Sequence, residues 1–486
     1  MNQNELEVAA EERLFDAMLD EVVRGARGVD AASPCGADHG SPWLAAAMVL
    51  FGVIVVAGVF VVTQAQRVVA VVPQESEQEP RAPLAPLPPA VKVSGLAELQ
   101  ALDVATTNVT LQFQKEEDLL ALGRFTKLRA LQLEPDPEMP HEGFQRAWSL
   151  APLAECKSLE AISIGYFGTL NPSEFSVLTS LPKLRSLTLV GLDKVVGAEL
   201  GSLLGKLPLR SLVLHAVTIE PEGMRALGEL PLLERLELRD CVGLEKCDLQ
   251  HLYRLRQLRH LGLRGLGALR PVPGPQDRTA VSFVLPETHD GKPDARIGAD
   301  WMRGLAKSLP ELRELDLADS WVDDAALSEL PKRLVSLGVE GSLGYGEAGI
   351  AAAVALPELR ILRCGDPQPS LMQRSDAVPS GEWLRHLSQA KLERFEFRGH
   401  TNADLVTAIR TQTDLRELRL EQVFRGTFAI GGGGVGALVE DPLPDVMPLG
   451  GIEKLARVEL VNGSLALHQA LRTALPARVH LEIVPR

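Results

Sequence analysis

Cysteine and histidine side chains are the first candidates for metal chemistry in this chain. Cys241, Cys247 and His251 are spaced C-x5-C-x3-H, which fits no common zinc site. His141-Glu142 is not followed by a second histidine at helical spacing, so the zinc-protease motif is absent. The sequence contains no GxSxG motif and identifies no Ser, His and Asp set. We therefore expect no metal, no cofactor and no catalytic residues.

Glycines that could cradle a phosphate occur twice. Gly431, Gly433 and Gly436 satisfy GxGxxG, but they lie in a glycine-rich insertion that lacks the strand-to-helix turn of a dinucleotide site. The segment GSLLGK at 201–206 is too short between its glycines for a Walker A loop, and Leu207 replaces the Ser or Thr that would reach magnesium. An enzyme with its site in an insertion loop is thus the least favoured alternative.

Leucine dominates the composition of the chain that must position any functional residue. Of 486 residues 81 are leucine and only 4% are aromatic, which points to a repeated unit more than to an ordinary enzyme core. The net charge is −14, so no global basic field is present to hold nucleic acid. Five cysteines without framework spacing decide neither redox compartment nor metal content.

An apolar span near the N-terminus predicts a membrane anchor. Trp43 to Thr63, 21 residues, contains no charge and at 1.5 Å per residue measures roughly 31 Å, enough to cross a bilayer. A cleaved signal peptide is the alternative, but residues 1–42 carry nine acidic and three basic side chains, unlike a short basic leader. Two arginines lie near each end of the span, so flanking charge does not decide the orientation. Because a long domain after a single signal-anchor is usually translocated, we expect the N-terminus inside and the C-terminal domain extracytoplasmic.

The segments on either side of the span have different characters. Residues 1–42 form an acidic segment in which Leu6 to Val23 has the pattern of a short amphipathic helix. That helix either docks a cytoplasmic partner, as in a transmembrane signalling component, or merely packs on itself. Residues 64–94 are rich in proline and predict an extended linker or stalk.

One pattern, Leu-x-x-Leu-x-Leu, recurs from residue 128 to the C-terminus, mostly at intervals near 25 residues. Leu-x-Leu places two side chains on one face of a short strand, and the stretches between strands have leucines at helical spacing. One unit cannot bury its apolar face alone, but a stack of twelve buries a continuous core. The first leucines of the twelve units are Leu128, Leu159, Leu184, Leu209, Leu233, Leu258, Leu312, Leu334, Leu359, Leu392, Leu415 and Leu455.

Residues 95–486 resemble the leucine-rich repeat family. The apolar span suggests a membrane-anchored protein, and the excess of arginine over lysine, 37 to 13, points to a GC-rich genome of bacterial type. The resemblance implies an α/β solenoid with parallel strands on a concave face and helical segments on the convex face. Cys241 meets the family's Asn or Cys position after the strand, whereas Leu192 and Val217 do not, so a regular asparagine ladder is not expected. Residues 95–127 are expected to cap one end, and Val479 to Ile483 to close the other as a strand.

The resemblance also implies protein binding, by the concave face and by loops. Its exposed strand positions are small and nearly uncharged in the first four units, and carry eight basic and eight acidic residues from the fifth unit onward. This mixture suits a protein partner better than a polyanion. The candidate binding residues are Arg235, Glu237, Arg239, His260, Arg264, Glu314, Asp316, Arg394, Glu396 and Arg398.

Two long insertions, near 270–300 and 424–450, are candidate recognition loops, since insertions in a solenoid project from one face. In the first, Phe283, Val284 and His289 are the candidate contacts.

A column of seven arginines, each directly after the first leucine of a unit, could bind an anionic chain, but a structural ladder paired with glutamates is favoured. The resulting prediction is a single-pass, non-catalytic adaptor whose protein partner, oligomeric state and pathway the sequence leaves open.

Overall fold

The computed structural model describes most of the chain from residue 89 onward. The described ranges are 89–113, 116–136, 149–165, 172–191, 196–244, 248–266, 270–273, 281–284, 288–289, 292–293, 297–342, 344–365, 381–399, 401–422 and 444–484. The acidic segment, the apolar span 43–63 and the linker up to residue 88 lie outside them. Within these ranges, no helix has the length and apolar character needed to cross a bilayer.

Fifteen strands of the described ranges form one sheet with parallel neighbours, and each strand pairs with the next one that belongs to that sheet. Four further strands, β9 to β12, lie in the first insertion and form two small hairpins. The strands are β1 Val91–Ser94, β2 Asn108–Phe113, β3 Ala130–Pro135, β4 Ala161–Gly165, β5 Ser186–Val190, β6 Ser211–His215, β7 Arg235–Arg239, β8 His260–Gly262, β9 Arg270–Pro273, β10 Val281–Val284, β11 Thr288–His289, β12 Lys292–Pro293, β13 Glu314–Asp316, β14 Ser336–Gly338, β15 Ile361–Gly365, β16 Arg394–Gly399, β17 Glu417–Gln422, β18 Arg457–Val461 and β19 His480–Val484.

Short helices connect the strands of the large sheet and pack on one of its faces. The α-helices are α1 Gly95–Ala101, α2 Glu116–Leu120, α3 Ala198–Leu204, α4 Pro221–Leu227, α5 Ala299–Ser308, α6 Asp324–Ser328, α7 Glu347–Val354, α8 Ala403–Arg410 and α9 Leu465–Ala474. The 3-10 helices are Ala121–Arg124, Ala151–Glu155, Pro172–Ser180, Asp248–Arg254, Gly381–Gln389 and Met447–Gly451. Units of about 25 residues leave room for only one to three helical turns between strands.

Leucine fills the core between the sheet and the helices, as the repeat predicts. The first leucine of each of the twelve units is at most 2% exposed. Along β5, Leu187 and Leu189 are completely buried, while the alternate residues Ser186, Thr188 and Val190 remain partly exposed. Full burial of a leucine contributes roughly 2 kcal/mol, so the stack supplies the apolar area that no single unit has.

All twelve predicted units contribute a strand to the sheet, and β19 is the expected closing strand. The structure also contains two strands that the sequence reasoning missed. β2 lies within the expected cap at 95–127 and pairs with β3 in the same register as the later repeats, with Val109 opposite Leu131. β1 falls in the last residues of the range given to the linker. The assignment of an α/β leucine-rich-repeat solenoid therefore extends to residue 91.

The chain leaves several strands through a left-handed residue at the same position of the repeat. The residues immediately after β5, β6 and β7, and Asp319 three residues after β13, illustrate the series; two of these four are aspartates whose carboxylates face the next unit. The positions with positive φ in this column are Gly191, Ala216, Asp240, Gly265, Asp319, Gly341 and Asn462. Glycine adopts this conformation without steric cost, and Asn and Asp tolerate it better than most residues.

Serine hydroxyls occupy the position at which the leucine-rich repeat family has Asn or Cys. Ser342 Oγ donates to the carbonyl of Leu317 at 2.6 Å, and Ser320 Oγ donates to the carbonyl of Leu263 at 2.6 Å. The backbone N–H of Leu266 in turn donates to Ser320 Oγ at 3.1 Å. Hydrogen bonds of these two serines thus join three consecutive units at the position of the asparagine ladder.

Candidate binding surface

The face of the sheet opposite the helices is called the open face. Its residues alternate with the buried leucines along each strand, because strand side chains point to opposite sides. In β7, Arg235 and Arg239 point to the open face with about one third of their side chains exposed, whereas Glu237 between them is only 4% exposed. On this strand the carboxylate is therefore buried beneath the surface, while the two guanidinium groups beside it remain partly exposed to solvent.

The open face of β3 to β6 is built mainly from small, uncharged side chains. Serine, threonine, alanine and valine occupy it, with Glu134 and His215 as its titratable members. The residues are Ala130, Gln132, Glu134, Ala161, Ser163, Gly165, Ser186, Thr188, Val190, Ser211, Val213 and His215. Because short side chains leave the strands uncovered, this region can accept bulkier groups of a partner at low desolvation cost.

A first charged cluster lies on β7, β8 and β13. Glu237 forms ion pairs with Arg235 and Arg239 on its own strand, and His260 Nε2 lies 3.3 Å from Glu237 Oε1. His260 Nδ1 lies 2.8 Å from Oε2 of Glu314 on β13. The imidazole therefore joins carboxylates of two different strands.

The electrostatics of this cluster favour an imidazolium between two carboxylates. Burial opposes the ionisation of Glu237, but the hydrogen bond from His260 and the charges of Arg239 and Arg235 outweigh it and lower the pKa of that carboxyl. Burial likewise opposes a charged His260, yet its hydrogen bonds to Glu237 and Glu314 raise the pKa of the imidazole. The hydrogen bond from His260 lowers the pKa of Glu314. All three groups thus stabilise each other in the charged form.

A second cluster is centred on Asp316 and spans three strands. Arg363 of β15 reaches over β14, and its Nη2 lies 3.0 Å from Asp316 Oδ2 on β13. Gly338, the residue of β14 between them, makes this crossing possible. A Cβ at that position would lie 2.6 Å from Arg363 Nη2 and 2.8 Å from Asp316 Oδ1. Glycine is therefore required by close approach of two side chains.

Asp319, in the left-handed turn after β13, collects two more arginines. Arg264 Nη2 lies 2.7 Å from Asp319 Oδ2, and Arg398 Nη1 lies 2.8 Å from Asp319 Oδ1. Arg398 comes from β16 and passes Gly341, where a Cβ would lie 2.9 Å from its Nη1. Asp316 and Asp319 thus pair with arginines from β15, from β16 and from the segment after β8. The side chains from β15 and β16 can cross the sheet because the glycines along their paths have no side chain in the way.

Glu340, which directly follows Val339 at the end of β14, lies beside these ion pairs. Its Oε2 has no hydrogen-bond partner and almost no solvent contact, and Arg363 Nε is 4.0 Å away. Burial raises the pKa of Glu340 to about 7, against the charge of Arg363. The open face therefore contains one carboxyl that titrates near neutral pH.

The remaining charged residues continue the pattern toward the C-terminus. Arg394 Nε lies 2.7 Å from Glu396 Oε1, and its Nη1 lies 3.2 Å from Glu417 Oε2 on the next strand. Arg419 Nη1 lies 2.6 Å from Glu459 Oε1. These partly exposed pairs contribute little to stability individually, but they hold the long side chains in defined positions.

The ten strand residues predicted as binding candidates all lie on the open face, but not as one site. The first cluster contains five of them: Arg235, Glu237, Arg239, His260 and Glu314. The second contains Arg264, Asp316 and Arg398, and Arg394 pairs with Glu396 separately. Whether a partner contacts them stays a prediction.

Three residues of the second cluster were not among the candidates. Asp319 follows a strand and was outside the columns considered, while Arg363 and Glu340 were in those columns but were not chosen. Gly338 was the available signal, since a glycine in a strand interior often marks a close approach.

The insertion candidates lie on the small hairpins. Phe283 and Val284 belong to β10, where they pair with Pro271 and Arg270 of β9, and His289 belongs to β11. The description of these residues ends at the backbone. Their contact with a partner therefore stays a prediction, and most of the second insertion lies outside the described ranges.

Two members of the arginine column after the first leucines form close pairs with glutamates, as the favoured structural interpretation expects, and the Nε atoms of Arg360 and Arg416 lie 3.9 and 4.0 Å from carboxylate oxygens of Glu393. Arg129 Nε lies 2.9 Å from Glu160 Oε1, and Arg210 Nη1 lies 2.6 Å from Glu234 Oε1 in the neighbouring unit.

In the described ranges no group of three or more His, Cys, Asp and Glu residues is arranged to hold a metal ion. Cys241 is buried, and its thiol donates to the carbonyl of Leu214 at 3.4 Å.

Comparison with known proteins gives structural matches only. No family model matches the chain, and no curated protein matches it. Among solved structures, an internalin from Listeria monocytogenes is 15% identical, with a TM-score of 0.33, over 70% of this chain and 82% of its own. A chain of the TLR13–ssRNA13 complex is 16% identical, with a TM-score of 0.36, over 81% of this chain and 54% of its own.

A chain of the Rad7–Elc1 complex from yeast is 14% identical, with a TM-score of 0.43, over 68% of this chain and 81% of its own. At such values a match says nothing about activity or partners. The assignment to the leucine-rich-repeat fold rests on the twelve sequence units and on the parallel sheet that they build.

Proposed function

We propose that this protein is a membrane-anchored, non-catalytic adaptor that binds a protein partner on its open face. The observation that carries the proposal is the division of this face. Small uncharged residues cover β3 to β6, and ordered ion pairs cover β7 to β18. A protein surface matches such a division with an apolar or polar patch beside mixed charges.

The ion pairs support this proposal because they prepare the charged side chains before a partner arrives. Arg394 is held by Glu396 and Glu417, so part of the entropy lost on binding is already lost in the free protein. Nearly equal numbers of opposite charges also disfavour a polyanion, for which a surplus of free cations would be needed.

Anchoring by Trp43 to Thr63 is part of the proposal. The span would hold the solenoid at a membrane, with residues 64–88 as spacer and the repeat domain on the extracytoplasmic side. This arrangement would present the open face to a partner outside the cell or in a neighbouring membrane. Thiol labelling in intact cells tests the orientation. A cysteine introduced in place of the exposed Thr407 should react with a reagent that does not cross the membrane, whereas Cys35 should not react.

A capture experiment with the full-length protein in detergent micelles tests the binding function. Thr188 on β5 is flanked by Ser163 and Val213, so Thr188→Arg places a long cation in the middle of the uncharged region. Thr407→Arg introduces the same side chain on the exposed side of α8. The proposal requires a partner that binds the wild type and the Thr407→Arg variant and is lost from the Thr188→Arg variant.

The proposal fails if both variants retain the same proteins, because the open face would then not be the binding surface. It also fails if the wild type retains no protein at all. Thermal unfolding of both variants shows whether a lost interaction reflects a lost fold.

A further inference from the structure

Six charged side chains meet on the open face between β8 and β16. They comprise three arginines and three carboxylates; three of them lie in β13, β15 and β16, and the other three follow the ends of β8, β13 and β14. The residues are Arg264, Asp316, Asp319, Glu340, Arg363 and Arg398.

The two aspartates pair with all three arginines, and Glu340 is the third carboxylate of the group. Asp316 receives Arg363 at 3.0 Å, and Asp319 receives both other arginines at 2.7 and 2.8 Å. By contrast, Glu340 Oε2 and Arg363 Nε are both shielded from solvent and both without a hydrogen-bond partner. They face each other at 4.0 Å, beyond hydrogen-bonding distance.

This geometry gives Arg363 two alternative partners. Asp316 Oδ2 is its present one, and Glu340 is within a side-chain adjustment of about 1 Å. The cost of an unbonded buried carboxylate is relieved either by a proton on Glu340 or by movement of Arg363 toward it. Because Gly338 leaves the space over β14 open, no side chain of that strand blocks such a movement.

Burial raises the pKa of Glu340 to about 7; Arg363 and Arg264 oppose the shift, and Asp316 adds to it. Arg363 also faces Glu314 of β13 and Glu396 of β16. Arg398 of β16 stays beyond this exchange, since it is held by Asp319 and Glu421. Protonation near neutral pH therefore changes the charge of a carboxyl whose Oε2 has no hydrogen-bond partner.

We propose that the proton on Glu340 is a switch that sets how Arg363 is shared between Asp316 and Glu340, and that this couples partner binding at the open face to pH. With Glu340 protonated, Arg363 stays on Asp316, as in the structure. With Glu340 ionised, Arg363 moves toward it and Asp316 becomes more available to a partner. The coupling to a partner rests on the proposed function, whereas the exchange of Arg363 does not.

The exchange is tested without a partner, on the full-length protein in detergent micelles. Phenylglyoxal modifies accessible arginines, and mass spectrometry gives the modification of Arg363 relative to Arg254, an exposed arginine of the helical layer, in the same sample. For a group with a pKa of 7, about one tenth is ionised at pH 6 and about nine tenths at pH 8. We expect the ratio in the wild type to differ by about threefold or more between these pH values.

Glu340→Gln keeps the shape of the side chain and removes its titration, so its ratio should stay constant at the value of the wild type at pH 6. Glu459→Gln is the control, because Glu459 lies on β18, three strands from Arg363, where it pairs with Arg419, and this variant should keep the pH response. If Glu340→Gln does not fold, Glu340→Ala serves instead, because it also removes the titrating carboxyl and its ratio should again be constant between pH 6 and pH 8. A constant wild-type ratio, or an unchanged response in the Glu340 variant, overturns the proposal.

The coupling is tested with the partner captured through the open face. Its retention by the wild type should differ between pH 6 and pH 8, and its retention by the Glu340→Gln variant should not. Equal pH dependence in both proteins contradicts the coupling. If no partner is captured, the proposed function fails, while the Arg363 ratio still decides whether the switch exists.

Discussion

The backbone N–H of Ser320 donates a hydrogen bond to Oγ of Ser342, 22 residues later, at 3.2 Å. Each hydroxyl donates in turn to a carbonyl of the preceding unit. Both serines are about 1% exposed. The hydrogen bonds of Ser320 with Leu263 and Leu266 cross the junction at which the first long insertion enters, so the two sides of that junction are joined by buried hydrogen bonds as well as by strand pairing.

Ser320→Ala is expected to destabilise the protein by about 2 kcal/mol, because the substitution leaves the Leu263 carbonyl and the Leu266 N–H buried without this partner. Denaturant unfolding of the full-length protein measures the change. Ser328→Ala is the matched control: its hydroxyl is exposed and contacts only the carbonyl of Ala325. An equal effect of the two substitutions would contradict a structural role of these hydrogen bonds.

Gly223→Ala is expected to cost about 3 kcal/mol or more, because an added Cβ would lie 1.8 Å from the backbone oxygen of Val196 in the neighbouring unit. Backbone on both sides cannot move apart without breaking the stack. Gly205→Ala serves as the control, since its nearest heavy atom would be 3.5 Å away and its φ is −61°. Thermal unfolding should therefore shift downward for the first variant alone.

Gly338→Ala addresses the open face without disturbing the core. The new Cβ would displace the flexible end of Arg363 from Asp316, and the expected loss of stability is only about 1 kcal/mol. The phenylglyoxal reactivity of Arg363 should rise, because the guanidinium loses its carboxylate. Unchanged reactivity would show that Arg363 can reach Asp316 by another route and that the glycine is not required.

The first charged cluster predicts a loss of stability at alkaline pH. The folded protein raises the pKa of His260, so its contribution is complete below about pH 6.5 and decreases as the pH rises through the folded-state value. The unfolding free energy of the wild type should fall in that range, and His260→Gln should remove this part of the dependence.

His251→Gln, in the helical layer, is the control for the histidine substitution. Retention of the full pH dependence by the His260→Gln variant would assign it to other groups. Glu340 contributes separately, since an acid with a raised pKa lowers the stability progressively as the pH rises from about 4.5 to 7, and the loss persists above that range.

The repeated leucines made the core predictable because each buried position recurs about every 25 residues. β2 escaped the same reasoning, since Thr106 stands where the first leucine of the unit would be and Val109 replaces the second. Its register and burial are nevertheless those of a full repeat, with Val109 completely buried. A pattern search that demands leucine misses units whose core positions use other apolar residues.

The charged residues of the open face could be assigned to columns, but their pairing could not be predicted. Arg363 pairs across an intervening strand with Asp316, and Arg398 pairs with Asp319, which is 79 residues away. These choices depend on the reach of long side chains over glycines of an intervening unit, and that reach has no periodic signal in the sequence. The sequence therefore predicted the surface and left its internal organisation undetermined.

The turn after the strands keeps the same position in each repeat, so residues can be inserted between two units without altering the strands on either side. Although 54 residues separate Leu258 from Leu312, the strands that follow them pair as neighbours, with Leu261 opposite Leu315. The solenoid thus tolerates a length change at this junction without a shift of register. The junction after Leu266 is a natural grafting position, at which a foreign loop or small domain could be displayed while both halves of the sheet stay paired.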